Sequence, residues 1–147
     1  MEVTASDLAK YRLDLAREKL DIAVKLLDDK AWRDAASRAY YAMFHAVRAL
    51  LATKRLDSRK HAGVISLFNQ HFVKPGLVSR DLGRILMTAK DFRERGDYDE
   101  FAPVSEEMAR TTVENASRLV EEIKGILADQ WTALVGEGDT TEDSSEQ

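Results

Sequence analysis

Arg93 lies in the stretch "DFRERGDYDEF", residues 91–101. It falls four residues after Ala89 and seven after Leu86, so it prolongs an apolar helical stripe with a permanent charge. A guanidinium in that position must be paired, or must face a cavity or an interface. Its planar fork of donors suits a phosphate. Asp97 and Tyr98 follow within five residues. Asp97 could orient Arg93 or act as a base, and Tyr98 could stack on a nucleobase or donate to a phosphate. As a base Tyr98 is poor, because a phenol ordinarily titrates near pH 10. The structural alternative for the segment is a helix end and turn, with Arg93 clasped by Asp97 or Asp99.

His45 is the alternative acid–base group. It shares one helix face with Arg38, Tyr41 and Arg48, at i−7, i−4 and i+3. Imidazole alone has an ordinary pKa close to neutrality. Lys60 and His61, at the end of the basic loop "KRLDSRKH", could meet a phosphate, or His61 could simply cap or pack. These residues, Arg38, Tyr41, Arg48, Lys60 and His61, form the candidate binding set. The three histidines lack metal-ligand spacing, so neither a metal nor a cofactor is expected. The chain has no cysteine, which excludes a thiol nucleophile, and no glycine-rich phosphate loop or Gly-x-Ser-x-Gly elbow occurs.

Five helical segments must position these groups. The first is expected over about 6–28, capped by Ser6, with Leu8, Tyr11, Leu15, Ile22 and Leu26 inward. The second, about 31–53, carries two apolar faces and reads as the central helix: Ala36, Tyr40, Met43, Val47 and Leu50 on one, Trp32 and four alanines on the other. A third spans about 61–72. A fourth spans about 79–95, buries Leu82, Ile85, Leu86, Ala89 and Phe92, and ends at Gly96. The fifth, about 104–134, starts at "PVSEEMA", where Ser105 can cap and two glutamates favour the first turn. No strand pattern and no repeat is visible.

With 147 residues, seven Gly and two Pro, the chain has the length and composition of one helical domain. Its net charge of −4 is concentrated at one end: the last twelve residues hold five acids and no base. The remainder, with 21 acids against 22 lysines and arginines, is near neutral. No strongly basic surface announces nucleic acid. No apolar run approaches the roughly 20 residues needed to span a bilayer, and the N-terminal residues lack the form of a signal peptide. A cytoplasmic protein without membrane contact is expected.

The segment "SRAYYAMFHAVRALL" resembles the signature of the HEPN superfamily in its small stand-alone branch. The likeness continues through "KHAGVISLFNQHFVKPG", "LGRILMTAKDFRERGDYDEF" and "PVSEEMARTTVENASRLVEEI", covering about residues 6–128. It implies an all-α, up-and-down bundle of four to five helices, assigned to residues 1–135; from their composition, residues 136–147 are expected to be an acidic tail without structure. It also implies a homodimer, commonly the toxin of a prokaryotic two-gene module whose antitoxin is a minimal nucleotidyltransferase. RNA or a nucleotide is the implied ligand. Many members are metal-independent endoribonucleases; others are noncatalytic binding or interaction modules. Catalytic members carry an Arg and, after four to six intervening residues, a His. Here the positions reached from Arg93 are Tyr98, Asp99 and Glu100. The arginine is retained and the histidine is not.

Overall fold

The computed structural model describes residues 3–98 and 103–146, with side chains for 3–94 and 103–131. Its elements are α1 (Ala5–Asp28), α2 (Trp32–Ala52), α3 (His61–Phe68), a π-helical turn (Asn69–Val73), α4 (Arg80–Tyr98) and α5 (Glu106–Glu146). The architecture is all-α. Helix α2 is the hub, packing on α1, α5, α4 and α3. Both of its apolar faces are used: Tyr40, Met43, Val47 and Leu50 are fully buried, as are Ala35, Ala39, Ala42 and Ala46.

Helix α1 departs from expectation in two ways. Its cap is Thr4 rather than Ser6: the Asp7 amide donates to Thr4 Oγ1 at 3.0 Å, and the Thr4 amide donates to Asp7 Oδ2 at 3.3 Å. This reciprocal pair is a capping box. Its buried face is Ala9, Leu13, Ala16 and Ala23, while Tyr11 stands outward at 62% exposure. The alanines let α1 lie close against the alanine-rich face of α2, and a row of larger side chains would hold the helices apart.

The expected third helix changes pitch after Phe68, and the Lys74 amide donates to Asn69 O at 2.8 Å, five residues back. The fourth passes Gly96 and ends at Tyr98. Leu82, Ile85, Leu86 and Ala89 are buried along it, as the sequence pattern requires, whereas Phe92, near its end, is only partly buried. Ser105 caps α5 by accepting from the Met108 amide at 3.1 Å. Val113, Ala116, Leu119, Val120 and Ile123 then face the core. The backbone of 136–146 continues α5, while the side chains of 136–147 lie outside the described residues. Among the described residues, no helix is long and apolar enough to cross a membrane.

Candidate functional site

Three helices bring Arg93 among aromatic groups. From α4, Arg93 Nη2 donates to the Tyr41 hydroxyl of α2 at 2.6 Å. The guanidinium carbon stands 4.8 Å from the Tyr41 ring centre and 5.4 Å from that of Tyr40. Cation–π attraction and the hydrogen bond together fix the charged head. The Tyr40 hydroxyl is 2.9 Å from Nδ1 of His61, the first residue of α3. The His61 ring is stacked on Phe44 with centroids 4.1 Å apart. Arg93, Tyr41, Tyr40, His61 and Phe44 thus form one contiguous cluster.

The electrostatics of the cluster follow from burial beside cations. Burial pushes the Tyr40 phenol up to about 12, although the Arg93 charge opposes the rise. Tyr40 therefore remains protonated near neutrality. His61 is drawn below its ordinary value, first by burial and then by the positive charges of Arg93, Lys90 and Arg48. A neutral imidazole next to a guanidinium can accept a proton while the guanidinium holds an anion.

The other sequence candidates occupy different surroundings. His45 lies farther along α2; burial and the charges of Arg48, Lys19, Arg12 and His61 depress its pKa. Its Nδ1 is buried without a hydrogen-bond partner among the described residues. Arg48 turns to Asp57, with Nη2–Oδ2 at 3.0 Å and Nε–Oδ1 at 3.3 Å. Arg38 and Lys60 are exposed, Lys60 forming the N-terminal boundary of α3. Asp97 and Tyr98 belong to the last turn of α4, but their side chains, like Asp99, lie outside the described residues.

Two groups escape a reading by spacing alone. Tyr40 looks like a core residue, and its hydroxyl acquires meaning only where α3 begins beside it. Arg12 lies off the expected apolar stripe of α1, yet it is 8% exposed. Its Nη2 donates to Asp57 Oδ2 at 3.1 Å and its Nη1 to the Arg48 carbonyl at 3.1 Å. The lone acid of the basic loop was the available signal. Asp57 joins α1, α2 and the following loop, and also accepts from the Ser58 amide at 2.8 Å.

This arrangement is carried by a helical bundle of the HEPN type. The model of the HEPN domain family matches residues 9–126, and the chain belongs to that family. A Methanocaldococcus jannaschii protein named "Putative toxin MJ0605" is 40% identical over 115 residues, which are 78% of this chain and 85% of that one. A Thermotoga maritima UPF0332 protein is 38% identical over 122 residues, 83% of this chain and 92% of its own. Among solved structures, the archaeal HEPN homologue ST0689 superposes with a TM-score of 0.59 over 81% of this chain and 97% of that chain. At 19% identity that likeness concerns the fold.

Proposed function

We propose that this chain is the toxin-like member of a prokaryotic two-gene module and acts, as a homodimer, on RNA. Its partner would be a nucleotidyltransferase-type antitoxin. The observation that carries the reading is the contact of Arg93 with the Tyr41 and Tyr40 rings, with His61 hydrogen-bonded to Tyr40. The family spacing leaves Arg93 without a histidine downstream, and α3 supplies one from another direction. The name of the M. jannaschii relative agrees with a toxin-like role.

In this reading Arg93 meets the nonbridging oxygens of a phosphodiester. His61 accepts the proton of the adjacent 2′-hydroxyl. The new bond joins the 2′ oxygen to phosphorus, the bond from phosphorus to the 5′ oxygen breaks, and the proton passes to that departing oxygen. The products are a 2′,3′-cyclic phosphate and a 5′-hydroxyl. Tyr41 and Tyr40 position the two charged or titrating groups, and Asp97 and Tyr98 extend the site.

Incubation of purified protein with mixed single-stranded RNAs in EDTA tests this. Wild type yields cyclic-phosphate ends, and Arg93→Ala and His61→Asn each abolish them while retaining the wild-type circular dichroism spectrum. Salt-sensitive RNA binding without cleavage would replace the enzyme with a noncatalytic binding module. If wild type neither cleaves nor binds RNA, the reading fails in both forms.

A further inference from the structure

A second feature starts one helical turn from Arg93. Between α3, the π-helical turn and α4 lies an open groove of about 820 Å³. Its charged lining residues are Lys74, Arg80 and Lys90, all basic, in a chain whose net charge is −4. Lys74 and Arg80 have no acidic partner among the described residues. Lys90 lies 3.6 Å from Glu94, a long contact at the surface that holds it weakly. Between the cations the wall is neutral: Val73 and Met87 offer apolar surface, and Asn69 and Gln70 offer amides.

The local backbone serves this shape. Asn69, Gln70 and Val73 belong to the π-helical turn, a rare conformation that often marks functional sites. Opposite them, α4 comes close at Gly83. A Cβ there would stand 3.1 Å from Asn69 Oδ1 and 3.5 Å from a Val73 methyl carbon. The groove continues past Arg80 and Met87 to Arg84, Thr88 and Asp91, so it is elongated rather than a closed pocket. Arg84 is already paired with Asp81 at 2.6 Å, which leaves Lys74 and Arg80 as the available phosphate contacts. At the other end Ala62 and Lys90 line it, next to His61 in sequence and one turn before Arg93.

We infer that this groove is a path for single-stranded RNA, gripping the strand beside the cleavage position. The inference rests on the RNA reading of Arg93 and adds contacts remote from it. Lys74 and Arg80 hold successive phosphates. Met87 and Val73 carry base faces, Asn69 and Gln70 meet base edges, and Lys90 passes the chain toward Arg93. An elongated groove with cations at intervals and apolar surface between them suits a flexible polyanion with flat bases. A metal or neutral metabolite would not use that alternation.

The test is fluorescence anisotropy with a labelled 2′-O-methyl oligouridylate, which has no free 2′-hydroxyl for cleavage. Lys74→Gln/Arg80→Gln weakens binding by at least about tenfold in low salt, and the slope of log K against log salt falls by about 1.4 for two lost single-strand phosphate contacts. The charge-conserving pair Lys74→Arg/Arg80→Lys restores both. Both positions are exposed, so the folded state of each variant is verified by its melting curve. Wild-type affinity and slope in the Gln pair, with binding weakened by Arg93→Ala, would overturn the groove and leave the Arg93 reading standing. Loss in the Gln pair with full RNA cleavage by Arg93→Ala would keep the groove and remove the Arg93 reading. No binding by wild type overturns the groove, and the RNA cleavage assay then decides the Arg93 reading by itself.

Discussion

Asp57→Ala tests the bonds that fasten the loop after α2 to the bundle. Its carboxylate accepts from Arg12 Nη2 at 3.1 Å, Arg48 Nη2 at 3.0 Å, Arg48 Nε at 3.3 Å and the Ser58 amide at 2.8 Å. The Arg12 side chain is 9% exposed and that of Asp57 48%. Removing one partner of a fully buried pair costs about 3–5 kcal/mol, whereas an exposed pair is worth about 0–1 kcal/mol. Solvent reaches Asp57 but hardly Arg12, so the cost falls between, at about 2 kcal/mol. For a chain of this size that lowers the melting temperature by about 5 °C. Urea unfolding followed by circular dichroism measures it directly. Arg12→Met in the Asp57→Ala background should recover part of the loss, since it removes the charge left without its carboxylate. The pH dependence supplies another check. Burial pushes the Asp57 carboxyl up, but hydrogen bonds from Arg48 and Ser58 and the charges of Arg48 and Arg12 outweigh it, leaving it below its usual value. Its contribution is present above its unfolded pKa of about 3.9 and is lost as the pH falls through the folded value. Wild type and variant should therefore converge in acid. A variant within about 0.5 kcal/mol of wild type at neutral pH, or strict additivity with Arg12→Met, would refute the reasoning.

Two further outcomes are expected for the aromatic and imidazole groups. Tyr40→Phe removes the hydroxyl facing His61 Nδ1 and should cost about 1 kcal/mol in urea unfolding with an unchanged m-value; wild-type stability would show that this bond contributes nothing. His45 and His61 both titrate below their ordinary value, first because of burial. Nearby charges add to the effect: Arg48, Lys19 and Arg12 around His45, and Arg93, Lys90 and Arg48 around His61. The unfolded chain therefore binds their protons more readily, so their stabilisation is complete above about pH 6.5 and declines as the pH falls toward the folded values. A pH series of urea midpoints should show this decline, flattened in His45→Asn/His61→Asn; an equal decline in that variant would assign the loss to other groups.

The central helix was legible because both faces of α2 are apolar, and a helix of that kind has nowhere to go but the middle of a bundle. Helix α1 was legible as an element but not in its orientation. Leu8, Tyr11, Leu15, Ile22 and Leu26 make the stronger hydropathy stripe, yet Ala9, Ala16 and Ala23 are fully buried because close approach to α2 rewards small side chains. The turns after α1 and α2 fall where the sequence pattern placed them, although no glycine marks them. Lys30 and Arg55 occupy left-handed backbone at φ 63° and 56°, where glycine would have signalled the stop. In the site, Arg93 stood out because a permanent charge on an apolar stripe demands a partner. Its partners Tyr40 and Tyr41 precede it by about fifty positions, and no periodicity connects residues across that distance. His61 is the instructive case. A motif written as a spacing finds a histidine only where the same helix or its next turn supplies it. Proton transfer requires only that the imidazole lie near the hydroxyl it deprotonates, whichever element carries it. The histidine missing downstream of Arg93 is thus weak evidence against acid–base chemistry in a bundle where α3 begins with a neutral imidazole beside the same aromatic pair.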